Sequence, residues 1–174
     1  MTTPNMTPAD LSTLSGTWTL DPAHTSVTFL TKAMWVLKVK GTLRAIDGGG
    51  SVAPDGTVTG TIVFDAASIS TNNKKRDAHL RTDEFFDVAT YPTMTFTATG
   101  ARPEGSGQVR VDGELTIRDQ TRPLTLLAEV SPSGATATAE AEVDLDRSAW
   151  GVTWAKMGAS VANHVVVKAQ FVKA

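Results

Sequence analysis

The sequence predicts an all-β fold, an antiparallel sheet of eight or nine strands rolled into a barrel or folded into a sandwich, with one short helical insertion. Three observations carry that expectation. Apolar residues recur at every second position over most of the chain, the period of a strand with one buried face. Turn residues punctuate these stretches at short, even intervals. The length of 174 residues, at 18.4 kDa, suits one domain, which buries roughly 70% of the surface its unfolded chain would expose.

In order along the chain, residues 1–15 are rich in Thr, Pro, Ser and Asn and read as a flexible tail before a single domain over 16–174. They show neither the basic nor the continuous apolar region of a secretory signal, so a cytoplasmic protein is expected. Short strand candidates lie at Trp18 to Leu20 and Val27 to Phe29, separated by Asp21-Pro22. The inner faces of the clear strands then read Leu37, Val39, Gly41, Leu43, Ala45; Val58, Gly60, Ile62, Phe64, Ala66; and Met94, Phe96, Ala98. Beyond these come Val109, Val111, Gly113, Leu115, Ile117; Leu124, Leu126, Ala128, Val130; Ala137, Ala139, Ala141, Val143, Leu145; and Val165, Val167, Ala169, Phe171. Asp47-Gly48-Gly49-Gly50, Pro54-Asp55-Gly56, Gly105-Ser106-Gly107 and Pro132-Ser133-Gly134 read as the intervening turns. Residues 67–91 are too long for a hairpin and predict a helix capped near Ser70 or Thr71, with Asp77 and Arg81 paired at i,i+4. A second long connection, 147–160, holds Trp150, Trp154 and Met157 outside any strand.

Composition narrows function. Sixteen Lys and Arg against 18 Asp and Glu give a net charge of −2, without the positive excess that gathers nucleic acid or an anionic surface. The absence of cysteine removes disulfides, thiolate metal sites and thiol nucleophiles. No stretch approaches the ~20 apolar residues of a membrane-spanning helix, and 11 aromatic residues are too few for the two girdles of an outer-membrane barrel. His24, His79 and His164 lack metal-ligand spacing, so no metal is expected. There is no GxSxG elbow or phosphate-cradling loop, and the strand carboxylates lie almost entirely on the polar face, so no catalytic residue is assigned and the chain is read as a non-enzyme.

The inner face is the most informative feature. None of its 31 positions is charged and 11 are Gly or Ala. An eight-stranded barrel is just wide enough for side chains to fill, so a lining this small leaves a cavity that an apolar molecule should occupy. The alternative is a filled interior in which small residues mark close approach of backbones. The expected lumen comprises Val39, Gly41, Leu43, Gly60, Ile62, Phe64, Met94, Phe96, Val111, Gly113, Leu115, Leu126, Ala139, Ala141, Val143, Val167 and Phe171.

Alternating strand direction collects the connections at 33–36, 67–91, 118–122 and 146–160 at one end, and those at 21–24, 47–56, 99–107 and 131–135 at the other. The first end holds Trp35, Trp150 and Trp154 and is the expected mouth, with Arg76, His79 and Arg81 as donors for a ligand head group. The alternative is that these tryptophans plug the barrel end and these cations belong to a solvated helix.

Several stretches resemble the YceI-like family of lipocalin-like proteins: Trp18 to Val27, Arg76 to Arg81 with Glu84 to Asp87, and Tyr91 to Phe96. Gly113 to Arg118 with Thr121 to Pro123, and Asp146 to Ser148 with Trp150-Gly151, extend the resemblance across residues 16–173. It implies an extended antiparallel eight-stranded lipocalin-like barrel holding a polyisoprenoid lipid or isoprenoid quinone, commonly as a homodimer. A carrier or sequestering protein for a small hydrophobic ligand is therefore expected, with no cofactor required. An enzyme working on a lipid head group at the rim and a ligand-free interaction domain are the alternatives.

Overall fold

Among the described residues period two becomes nine strands, and every hydrogen-bonded pair of them is antiparallel. The computed structural model describes residues 11–105 and 107–174, so the first ten residues assigned to the tail lie outside the described ones. The strands are β1 (Gly16–Leu20), β2 (Ser26–Ala33), β3 (Leu37–Val52), β4 (Val58–Ser70) and β5 (Thr93–Pro103), followed by β6 (Gln108–Ile117), β7 (Gln120–Ser133), β8 (Thr136–Asp146) and β9 (Ala162–Lys173). Consecutive strands from β2 to β9 pair in turn, and β9 pairs back with β2, which closes an eight-stranded barrel.

The ninth strand is accounted for by a split wall position. Between β3 and β9, β2 occupies the register opposite Leu37 to Leu43 and His164 to Lys168, while β1 lies opposite Gly49 to Val52 and Phe171 to Lys173. β1 and β2 are thus two collinear pieces of one strand. Pro22, which has no N–H to offer a ladder, stands in the break between them. The Asp21 carboxylate caps the short 3-10 turn Pro22–His24, Asp21 N–H donates to the Gln170 carbonyl, and Thr25 Oγ1 accepts from Gln170 N–H, so the ladder is patched across the interruption. Residues 21–24 therefore sit in the wall and not at the barrel end expected from strand alternation.

The stretch Asp47 to Gly50, read from sequence as a turn, is also wall. It lies inside β3 and pairs with β4, and its Gly49 and Gly50 pair with β1 on the other side. A Cβ at Gly50 would run into the Thr59 carbonyl oxygen, and one at Gly49 would come within 2.6 Å of the Trp18 carbonyl oxygen. Glycine is needed here because three backbones converge, not because the chain reverses. Irregular registers between Thr42 and Arg44 and between Ala45 and Asp47 bend β3 just before this crowded stretch.

The hairpins β3–β4, β5–β6 and β7–β8 turn at one end, which we call the hairpin end. The tightest has Gly134 at φ +60° as the first of two loop residues, the conformation that matches the twist of the flanking strands. The other end carries the β2–β3 hairpin, the insertion with helix α1 (Lys74–Leu80), the Arg118-Asp119 turn and the 147–161 connection. Asn73, not Ser70 or Thr71, caps α1: its Oδ1 accepts from Arg76 N–H. Asp77 is buried and turned back to accept from Thr71 N–H and Oγ1–H, while Arg81 donates to the Ala67 and Ile69 carbonyls. The expected Asp77–Arg81 pair is replaced by two separate ties to the end of β4.

Not every small inner residue marks empty space. The Phe29 ring lies where a Gly41 side chain would be, and Phe96 and the Thr97 carbonyl fill that place at Gly113. Substituting Gly113→Ala is expected to destabilise the barrel by about 1 to 3 kcal/mol through overpacking. Gly100→Ala, whose Cβ would meet nothing within 4 Å, should leave stability unchanged or raise it by up to about 1 kcal/mol. Equilibrium urea denaturation of the two variants checks the contrast.

Candidate ligand cavity

The interior is divided along its length. Toward the insertion end, Phe64, Met94, Leu115, Ile117, Phe85, Trp150 and Val152 form one continuous packed cluster. Toward the hairpin end the barrel is hollow, with a cavity of about 220 Å³. Ala137, Ala139 and Ala141 of β8 face it, opposed by Gly60 and Ile62 of β4 and Phe96 and Ala98 of β5. Val109 and Val111 of β6, Leu126, Ala128 and Val130 of β7, and Val167, Ala169 and Phe171 of β9 complete the apolar wall. Among the described residues no charged one lines the space, and its hydroxyl-bearing side chains are Ser51, Thr59, Thr61 and Thr138. Seven of the 11 small inner residues border this half. Three alternate alanines on one strand leave the volume that larger side chains would have filled.

The hairpin end is covered by the chain itself. Residues 11–14 turn across it, with Leu14 N–H donating to the Leu11 carbonyl at 3.0 Å. Leu11 is only 4% exposed and packs on Val109, with Leu14, Ala101, Val111 and Val130 around it. Trp18 fixes the segment by donating from Nε1 to the Leu14 carbonyl at 2.8 Å. Leu11, Leu14 and Trp18 all line the cavity. The end of the tail nearest the barrel is thus docked. Its sequence signal was two leucines three residues apart in an otherwise polar stretch.

The opposite end is packed shut. Trp150 is buried and donates from Nε1 to the Leu115 carbonyl at 2.8 Å, and Val152 is 0% exposed. The ring of His79 meets Phe85 and Trp154 edge-on, at centroid distances of 4.9 and 4.6 Å. Arg147 is buried beneath this layer, 5.1 Å above the Phe85 ring. Its Nη1 donates to the Val152 carbonyl at 2.7 Å, and its Nε and Nη2 donate to the Ser160 carbonyl. Burial pulls its pKa below the usual arginine value, opposed by the adjacent Asp146 carboxylate. The guanidinium holds both sides of the 147–161 connection against the barrel.

A model of the YceI-like domain matches residues 18–172. The chain belongs to this family. An UPF0312 protein of Vibrio cholerae is 33% identical over 114 residues, which cover 64% of this chain and 60% of that protein. Protein YceI of Salmonella arizonae is 38% identical over 73 residues, 42% of this chain and 38% of its own length. Among solved structures, BcnA of Burkholderia cenocepacia superposes with a TM-score of 0.75 at 24% identity, covering 89% of this chain and 99% of BcnA. A polyisoprenoid-binding domain from Saccharophagus degradans superposes with a TM-score of 0.70 at 15% identity, covering 90% of this chain and 98% of that domain. These two likenesses show a shared fold.

Within this YceI-like barrel the residues expected at the lumen divide between its halves. Gly60, Ile62, Phe96, Val111, Leu126, Ala139, Ala141, Val167 and Phe171 border the cavity. Phe64, Met94 and Leu115, with Leu43 at the margin, belong to the packed cluster. Val39 is buried and Val143 half-buried outside the cavity lining, and Gly41 and Gly113 lie under phenylalanine rings. The mouth, expected at the tryptophan end, needs a larger correction: this end is closed and the cavity adjoins the other. Arg76 donates to Thr71 Oγ1 and the Thr71 carbonyl, and Arg81 to the end of β4, so both guanidinium groups are engaged in holding the insertion. His79, Trp150 and Trp154 make the plug, and Trp35 stands apart at 74% exposure.

Replacing Arg147 by Met should strand the Val152 and Ser160 carbonyls and cost about 2 to 4 kcal/mol of stability by urea denaturation. Leu11→Ser should leave the barrel folded by circular dichroism yet increase the fluorescence of an added apolar dye, because the cover then shields less of the cavity.

Proposed function

We propose that this protein binds and carries an isoprenoid-type lipid, a polyprenyl chain or an isoprenoid quinone, with the apolar tail in the barrel. One observation carries the reading: an uncharged, alanine-walled cavity that ends beneath a short leucine-bearing cover instead of beneath a strand. The name of the Saccharophagus domain, a polyisoprenoid binder of the same fold, supports it.

Magnitudes set the mode of binding. Burying a five-carbon unit is worth at most about 4 kcal/mol, at ~0.8 kcal/mol per CH₂ equivalent. A cavity of about 220 Å³ exceeds the ~150 Å³ engineered cavity that takes one benzene, so it holds roughly one or two such units. Two units give about 8 kcal/mol gross, a micromolar complex before ordering costs are deducted. A guest held for transport must therefore be longer, and its remaining units must pass the position of Leu11 and Leu14. The cover is a short segment outside the strand ladder, its contacts including the Leu11 cluster and the Trp18 indole hydrogen bond, and it is the part that a longer guest would displace. A head-group hydrogen bond adds about 1.5 to 3 kcal/mol, so the tail dominates affinity.

Incubation with geranylgeraniol followed by mass spectrometry of the organic extract tests this. Ala139→Trp, which fills the alanine wall, should reduce bound alcohol at least tenfold while the far-ultraviolet spectrum is unchanged. A folded A139W protein that retains wild-type stoichiometry would place the guest elsewhere.

A further inference from the structure

At the closed end, the β2–β3 hairpin and the 3-10 turn Lys156–Gly158 together build an apolar knob that the barrel core does not use. Trp35 is 74% exposed, Val36 83% and Met157 73%, with Met34 beside them. The two loops are joined: Trp35 N–H donates to the Gly158 carbonyl at 3.1 Å, and the Trp35 ring occupies the space a Gly158 side chain would need. Met34, Trp35 and Met157 take φ of 48°, 65° and 56°, a left-handed conformation uncommon for large apolar side chains. The backbone thus accepts strain to hold these groups in water, and strain of this kind collects at working surfaces.

The collar of the knob is cationic. Lys32 and Lys38 face each other across the hairpin, Lys40 follows on the same outer face, and Lys156 precedes Met157. All four are exposed and none has a salt bridge to another described residue. On the neighbouring wall, Glu142 and Asp144 are engaged by His164. We infer that this knob is a docking surface for an anionic lipid bilayer, the tryptophan and methionines entering the interface and the lysines pairing with lipid phosphates. Tryptophan favours the level of the head groups, and each lysine near an anionic surface adds attraction that salt screens. A second copy of the chain fits less well, because a two-fold contact through the knob would press two lysine collars together. Docking by this end leaves the Leu11 cover facing water, so the inference is independent of how a guest enters.

Flotation of the full chain with vesicles tests it. Binding is expected to vesicles of mixed phosphatidylcholine and phosphatidylglycerol, to weaken with salt, and to be absent with phosphatidylcholine alone. Trp35→Asn with Val36→Ser should weaken binding roughly tenfold or more, and Lys32→Glu with Lys38→Glu should weaken it similarly and flatten the salt dependence. Asparagine tolerates the left-handed conformation, and if the first pair fails to fold the lysine pair decides. Failure of the wild-type chain to float with mixed vesicles, or flotation unchanged in the folded variants, overturns the inference. So does a sedimentation experiment in which the knob variant turns a dimer into a monomer while wild type ignores vesicles.

Discussion

Closure of the hydrogen-bonded ring at the split wall position is the constraint on which the remainder of the molecule depends. An open sheet of this length would expose two edges and could curl to any width. Here β9 must satisfy β8 on one side and both β2 and β1 on the other, and β3 must do the same with β4 opposite. That double obligation fixes the circumference at eight positions. It also explains why the glycines of β3 and β4 gather where β1 enters: at Gly50 opposite Gly60 the strands approach too closely for any side chain. With circumference fixed, interior volume is fixed, and what remains to the sequence is whether to fill it.

It does both. Near the insertion, large residues from the strands meet residues delivered by the two long connections, so the core there is built partly from outside the barrel. Phe85 and Val152 are buried like core strand residues because Arg147 clamps its own connection through the Val152 and Ser160 carbonyls and Arg81 ties the insertion to the Ala67 and Ile69 carbonyls of β4. Near the hairpins the described connections are short, and β8 contributes three alanines and Thr138. Among the described residues, the segment that reaches across that end is the chain N-terminal to β1, and Leu11 and Leu14 are the side chains it brings. A packed half rigidifies the ring, and that lets the other half stay hollow without collapsing, since cavities cost stability in proportion to what surrounding atoms fail to contact.

Most of the fold was legible from alternation alone, because a period of two with a consistently apolar face admits few arrangements other than a closed or doubled antiparallel sheet. What alternation cannot carry is the third dimension. Gly113 and Ala139 look equivalent in the sequence, yet a phenylalanine ring covers the first and the second borders open space. Asp47 to Gly50 has the composition of a turn, and only the convergence of three strands explains why it is not one. The tryptophans were correctly gathered at one end by strand direction, but direction does not say whether an aromatic points inward as a plug or outward as a rim. Trp150 is buried and Trp35 exposed at the same end of the barrel. The cover was hidden for a different reason: its leucines sit in a polar segment, where two apolar residues give no periodic signal.

Charge is a further property that sums conceal. A net of −2 argues against any attraction of the whole protein to anionic surfaces, and at distances beyond the ~8 Å screening length that argument holds. At contact it does not, because only charges within that length of the surface contribute. On the outer wall Glu140 is paired with Lys168 on the adjacent strand, whereas the lysines of the β2–β3 hairpin have one another for neighbours. Two lysines directly opposite on adjacent strands repel and destabilise the hairpin they sit on. The hairpin therefore carries two unfavourable features at one tip, like charges face to face and bulky residues in left-handed conformations. Neither is required by the barrel, whose β6–β7 connection at the same end closes in two residues with no apolar group exposed. A tip that costs stability twice in the isolated protein is explained when the same groups find oppositely charged and apolar partners outside it.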